Sequence, residues 1–170
     1  PRQQANLRGL AWVKETLPSI VPFLQPAQTA LLARAVAEQE ALQQTAAYAS
    51  LPSGAIHADL FRDNVMFVGD TLTGFFDFYF AGIDAFVFDI AICLNDWCID
   101  HATGATEPTR LAAFVDAYSA VRPLSATERE MLPAMRRAGA LRFWTSRLWD
   151  FHLPRDAAML QAHDPSHFER

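Results

Sequence analysis

Gly54-Ala-Ile-His57-Ala-Asp59-Leu-Phe-Arg62-Asp63-Asn64-Val-Met-Phe67 decides the reading of this chain, together with Gly74-Phe-Phe-Asp77-Phe-Tyr79 a little further on. Asp59 and Asn64 are five residues apart, so a helix would set them on diverging faces. If they act together, they sit on a loop. The surroundings support that. Pro52, Ser53 and Gly54 break any preceding helix. Val65–Val68 is an apolar run, Gly69-Asp70 is a turn signal, and Leu72–Phe78 is a second run that contains Asp77. The spacing predicts a small hairpin bracketed by loops. It returns Asp77 beside Asn64.

Helices are expected on both sides of this β-like patch. Asn6–Leu17 reads as a short helix stopped by Pro18. Pro26–Tyr48 reads as a longer one, with Leu31, Leu32, Ala35, Val36, Gln39 and Leu42 as a stripe that only Gln39 interrupts. Ala85–Ile99 is apolar nearly all round, the mark of a buried helix. Thr106–Val121 carries Leu111, Phe114, Val115 and Tyr118 on one face, with Thr106 as the cap. Ser125-Ala-Thr-Glu128 is a capping box that opens a helix running to Trp149, which Pro133 is expected to kink or split. The tail from Leu153 to Arg170 carries no assignable pattern. The expected class is α+β, mostly helical, with small hairpins carrying the functional loops.

The residues form the pattern H-x-D-x4-N followed by an aspartate in a D-F context. A kinase catalytic loop has this pattern. Phosphoryl transfer needs a carboxylate near the acceptor hydroxyl, the role for Asp59. It also needs oxygen ligands for Mg²⁺, which takes few of them from protein. Asn64 and Asp77 offer such oxygens. Taken singly, Asp59 is also readable as a turn or cap aspartate and Asn64 as an Asx-turn residue. Together, three polar groups among Leu60, Phe61, Val65, Met66, Phe67, Phe76 and Phe78 are costly without partners.

His57 reads as a residue that positions the loop, more than as a proton shuttle. Asp63 reads as solvated or paired with Arg62. Asp89, in Phe86-Val-Phe-Asp89-Ile-Ala-Ile92, needs donors, either backbone N–H groups or His57, and would then brace the loop. It also suits a helix start. Asp96 lies two turns on along the same face, and with Asn95 and Trp97 it either lines an acceptor pocket or simply ends the helix.

Gly54–Phe67, Gly74–Tyr79 and Phe88-Asp-Ile-Ala91 resemble the aminoglycoside-phosphotransferase and choline-kinase superfamily. Within it, the chain looks most like the bacterial homoserine kinases of that type. The residues behind this are Asp59–Asn64, Asp77-Phe-Tyr-Phe80, Asn95-Asp-Trp-Cys98, Val121-Arg-Pro123 and Leu141–Asp150. The resemblance covers nearly the whole chain. It implies a protein-kinase-like C-terminal lobe, residues 1–170 as one domain, in which Asp59 is the catalytic base, Asn64 and Asp77 hold Mg²⁺, and Asp89 braces the loop. It implies ATP as co-substrate, a small-molecule acceptor such as homoserine, and a cytoplasmic location. An acceptor with a carboxylate and an ammonium wants a guanidinium and an acid. Arg62, Arg142 or Arg147 would supply the first, Asp96 the second. Each arginine also reads as a surface or helix-pair charge, as Arg147 with Asp150 does. Trp97, Trp144 and Trp149 keep a choline-type aromatic cage open, and other acceptors are ethanolamine, a sugar or an aminoglycoside. A non-catalytic kinase-like binding domain is the alternative of another class.

The departure from the family lies at the front. No glycine-rich loop or strand lysine precedes the catalytic loop, and the single lysine, Lys14, falls in a helical segment. The chain starts at Pro1 and reads as a piece of a longer protein, with the nucleotide lobe outside it. This piece alone is expected to be inactive or nearly so, and a measurable phosphorylation rate from it would refute that.

Composition narrows the remaining classes. With 51% hydrophobic and 19% charged residues in a chain of 170, it is globular and large enough for a core. A net charge of -5 argues against nucleic acid as a partner. No apolar segment reaches the ~20 residues of a membrane span. Cys93 and Cys98 lack the spacing of a zinc site and read as buried, reduced thiols.

Overall fold

In the computed structural model, residues 4–153 and 164–169 are described. The first helix, α1, spans Leu10–Ile20 and passes through Pro18 instead of stopping before it. Pro18 sits in the last turn, where it removes only one intrahelical bond, and Val21 N–H still donates to the Leu17 carbonyl. Val13, Thr16 and Ile20 are the buried face of α1, spaced three and four apart. Helix α2 spans Pro26–Gln43 and opens with Pro26 in its first turn. It ends before the expected Tyr48. Thr45 starts a separate short helix, α3, Ala46–Ala49, by accepting a hydrogen bond from Tyr48 N–H at 3.1 Å. Along α2, Leu32, Val36 and Gln39 are buried. Gln39 belongs in this stripe because its amide reaches the Ala134 carbonyl, at 3.4 Å.

Among the described residues, four short strands form two separate antiparallel pairs. Strand β1, Ser53–Ile56, pairs with β4, Gly82–Ala85, while β2, Val65–Val68, pairs with β3, Thr71–Phe75. The hairpin turn uses Gly69 at φ 58°. Strand β3 ends at Phe75, earlier than expected, so Asp77 lies beyond the ladder. The β1–β4 pair was not foreseen. It brings the two ends of a segment of about thirty residues together, with the hairpin and the functional loop between them.

Helix α4 spans Phe86–Trp97 and is buried on nearly every side. Cys93 and Cys98 are buried free thiols, and burial pushes the Cys93 thiol up. Helix α5 spans Pro108–Val121, and its Leu111, Phe114, Val115 and Tyr118 pack on Ile90, Leu94, Cys98 and Leu124. Thr106 does not cap it. Its hydroxyl instead accepts from Arg136 Nη2 at 3.0 Å, and Glu107 takes the cap position.

Helix α6 spans Ala126–His152. The capping box forms as expected: Ser125 Oγ accepts from Glu128 N–H at 3.1 Å, and Glu128 Oε2 accepts from Ser125 N–H at 2.9 Å. Pro133 does not split the helix. A proline in a helix interior costs about 3 kcal/mol, but burying one large apolar side chain contributes roughly 1.5–3 kcal/mol. Helix α6 buries Met131, Met135, Leu141, Phe143, Trp144 and Leu148 against its neighbours, so packing wins. At the α4–α6 seam, Asn95 Nδ2 donates to the Arg136 carbonyl at 2.7 Å and Arg136 Nε donates to Asn95 Oδ1 at 3.0 Å. Asn95 therefore belongs to the seam and not to an acceptor pocket.

Of the tail, Pro165–Phe168 forms a single 3-10 turn, and Phe168 packs beside Phe61 and Phe143. Residues 154–163 and 170 lie outside the described residues. Among the described residues no helix is long and apolar enough to cross a membrane.

Candidate active site

Strand β1 delivers the chain to His57, and the first turn of α4 holds it there. Asp89 accepts from the backbone N–H groups of His57 at 3.0 Å and Ala58 at 2.8 Å, one on each carboxylate oxygen. Ala58 stands at φ 63°, a left-handed conformation that costs an L-residue roughly 1–2 kcal/mol. The Asp89 carboxylate is what fixes it. His57 Nε2 lies 2.9 Å from the Phe76 carbonyl. A carbonyl only accepts, so Nε2 carries the proton in this contact. His57 Nδ1 is buried and has no hydrogen-bond partner among the described residues. The ring packs on Phe78, with centroids 4.7 Å apart.

The other end of the loop is tied to the same place. Asn64 Nδ2 donates to the Asp59 carbonyl at 2.7 Å and closes the turn. Phe76 N–H donates to the Asn64 carbonyl at 3.2 Å. Both loop ends are thus clipped to Phe76, and Asp77 follows directly. Asp77 is exposed at φ 60° and ψ 56°, a second left-handed non-glycine residue. The loop therefore brings Asp59, Asn64 and Asp77 together, close enough for Asp77 to act electrostatically on Asp59.

Asp59 faces Arg142 of α6, whose Nη1 lies 3.3 Å from Oδ1. Burial holds the Asp59 carboxyl above the usual carboxylate range, and negative Asp77 adds to this. Arg142 and His57 act in the opposite sense without overcoming it. Arg142 is only 3% exposed, and burial lowers it to about 10 despite Asp59. Each partner is pushed towards its neutral form, as expected where desolvation outweighs mutual attraction. The guanidinium sits 3.7 Å from the centroid of the Phe143 ring.

The remaining expected pocket residues are spoken for by one another. Asp96 Oδ2 accepts from Arg62 N–H at 2.8 Å and from Arg62 Nε at 3.2 Å. Arg62 therefore bridges Asp96 and not Asp63, which is exposed. Trp97 Nε1 donates to the Leu60 carbonyl at 3.1 Å. These contacts tie the end of α4 to the middle of the loop. Arg147 lies over the Phe168 ring at 4.5 Å and donates from Nη1 to the Asp164 carbonyl at 3.2 Å. Burial lowers the Arg147 guanidinium, with Asp96 and Asp164 opposing. Trp144 is buried in the packing of α1, α2 and α6, so it is no cage wall. Phe168 and Asp164 were missed in the sequence. Their contacts span long chain separations, and no local spacing announces them.

Asn64 and Asp77 present hard oxygen donors suited to Mg²⁺. The Asn64 amide nitrogen is used within the loop, which leaves its oxygen for a ligand. Among the described residues no group of three or more His, Cys, Asp or Glu converges.

Residues 2–153 match the Phosphotransferase enzyme family. The homoserine kinase of Polaromonas naphthalenivorans (strain CJ2) is 63% identical over 169 residues, covering 99% of this chain and 54% of that protein. The homoserine kinase of Janthinobacterium sp. (strain Marseille) is 58% identical, over 100% of this chain and 53% of its own length. That of Cupriavidus necator is 57% identical, over 100% and 53%. The chain spans about half the length of the curated relatives it matches. A loop that gathers an aspartate, an asparagine and a second aspartate is what a phosphotransferase requires, and with the match over 2–153 the chain belongs to the phosphotransferase enzyme family.

Proposed function

We propose that this chain is the catalytic and acceptor-binding part of an ATP-dependent kinase that phosphorylates the hydroxyl of L-homoserine. The observation that carries the proposal is the clipping of both loop ends to Phe76, which supports a reading in which Asp59, Asn64 and Asp77 act together. In this reading Asp59 takes the hydroxyl proton as the acceptor oxygen bonds to the γ-phosphorus and the bond to ADP breaks. A base whose carboxyl lies above the usual range works nearer to neutral pH. Asn64 and Asp77 would hold Mg²⁺, which when bound neutralises the triphosphate charge. Asp89 and His57 act through the backbone, fixing the loop. Support for homoserine as the acceptor comes from the relatives, each of which bears the name homoserine kinase and matches all or nearly all of this chain. Cover for the nucleotide phosphates would come from the half of the relatives' length that this chain does not span. Lys14 does not supply it, since it is ion-paired with Glu40 on the helical face.

The test is ADP release by the intact protein with homoserine, choline, ethanolamine or an aminoglycoside. Asp59→Asn serves as control. Loss of a general base lowers the rate by roughly 10²–10⁴-fold. Turnover with homoserine alone, abolished in the control, is the expected result. Turnover with another acceptor would keep the mechanism and overturn the substrate. No turnover with any of them, and Mg²⁺–nucleotide binding that is indifferent to Asp77→Ala, would point to a non-catalytic binding domain.

A further inference from the structure

Arg142 has one edge in use and one edge without a partner. Nη1 holds Asp59 at 3.3 Å. Nε and Nη2, both buried, have no hydrogen-bond partner among the described residues. These two nitrogens share the side-on edge of the guanidinium, the edge that receives both oxygens of a carboxylate in parallel. An arginine that is 3% exposed with two N–H groups unsatisfied is costly, so the edge calls for an acceptor. The other two arginines expected near the acceptor do not offer this. Arg62 spends Nε on Asp96 and Arg147 donates to the Asp164 carbonyl.

We propose that Arg142 is the specificity-determining residue for the acceptor: its Nε/Nη2 edge receives the acceptor's carboxylate while Nη1 keeps hold of Asp59. This rests on the homoserine reading above and deepens it. The substrate class becomes an alcohol with a carboxylate a few bonds from its hydroxyl. One guanidinium then binds both ends of the reaction. The carboxylate docks on one edge, and the base that takes the hydroxyl proton is held on another, so the two groups are positioned relative to each other by a rigid plane. An alcohol without the carboxylate leaves the buried edge unpaired, and the site rejects it for that reason. The competing account is structural. Arg142 also lines a cavity of about 60 Å³ beside Arg8, Tyr48 and Asp84, room enough for water. Water there would satisfy the edge and leave Arg142 acting only through Asp59.

The experiment compares kcat/KM of the intact protein for L-homoserine and for 3-aminopropan-1-ol, the same alcohol without its carboxylate, in wild type, Arg142→Lys and Arg142→Met. Wild type is expected to prefer homoserine by roughly 10²-fold or more. Both variants should lose that preference to within a few-fold, because lysine keeps the charge but cannot form the fork. Slower turnover of both acceptors by one common factor, with the preference intact, would overturn the proposal and leave Arg142 as a positioning residue for Asp59. Should neither variant fold, wild type decides by itself: a preference below about ten-fold, about 1.4 kcal/mol, overturns it. A wild-type protein that phosphorylates neither alcohol overturns the homoserine reading and this inference with it. Homoserine turnover with an unaltered preference in the variants overturns this inference alone.

Discussion

Asp89→Ala removes both acceptors that hold the turn at His57 and Ala58. A hydrogen bond to a charged group is worth roughly 1.5–3 kcal/mol, so a loop kept in place without Asp89 would lose about 3–6 kcal/mol for the two. It need not stay in place. Ala58 recovers roughly 1–2 kcal/mol by leaving the left-handed region, and the freed N–H groups then reach water. The cheaper outcome is that the loop lets go. Stability should fall by about 1–5 kcal/mol on that balance, less than if the loop stayed in place. Activity should fall further, because a shift of ~1 Å in a reacting group costs on the order of 10²-fold. The assay pairs a urea denaturation midpoint with kcat on the intact protein. Asp89→Asn, which keeps one acceptor oxygen, should lie between. If Asp89→Ala unfolds within about 0.5 kcal/mol of wild type and keeps its kcat, the carboxylate does not hold this loop and the reasoning fails.

The pH dependence follows from Asp59. Burial and Asp77 raise its carboxyl in the folded protein. Between the ordinary carboxylate value and the raised one, the native state binds more protons than the unfolded state. Asp59's contribution to stability is therefore most favourable below that window and declines as pH rises through it. Activity runs the other way, since a base must be ionised. A pH–rate profile should show kcat/KM falling on the acid side at a midpoint above the ordinary aspartate value, and a rate that stays flat down to that value would refute it. Asp59 and Arg142 also predict a non-additive pair. Asp59→Leu or Arg142→Met alone strands a buried charge and should cost about 3–5 kcal/mol, whereas the double substitution should be neutral or stabilising by about 1–4 kcal/mol. Thermal melts of the four proteins check this, and additive losses would refute it.

The loop and hairpin around Asp59, Asn64 and Asp77 were legible because spacing constrains them. Five residues separate Asp59 from Asn64, and a turn signal at Gly69-Asp70 returns the chain, so Asp77 had to come back near Asn64. The capping box at Ser125 and the buried character of α4 were readable for similar local reasons. Boundaries set by tertiary packing were not. Pro18 and Pro133 look like stops in isolation, yet each lies in a helix whose buried face outweighs one missing bond. The use of each charge was also hidden. Arg62, Arg142 and Arg147 look alike in sequence, and only their neighbours separate them: Asp96 for the first, Asp59 for the second, Asp164 and Phe168 for the third. Those neighbours lie on other elements at long separation, where periodicity carries no information.

The Arg142–Asp59 pair is best explained by chemistry and not by stability. Burial shifts both groups towards neutrality, and a buried pair of this kind is weak evidence for stability. A well-packed apolar pair would serve the core better at the contact of Arg142 with Phe143 and Phe80. The loop does not need the pair either. His57, Ala58, Asn64 and Phe76 are fixed by backbone and amide hydrogen bonds that do not involve Arg142. In the proposed reading the pair keeps a partly buried carboxylate ionisable and sets it against a cation with donors to spare. As the proposed base, Asp59 would gain strength from burial and be kept in register by the arginine, two effects that oppose each other in pKa and agree in geometry.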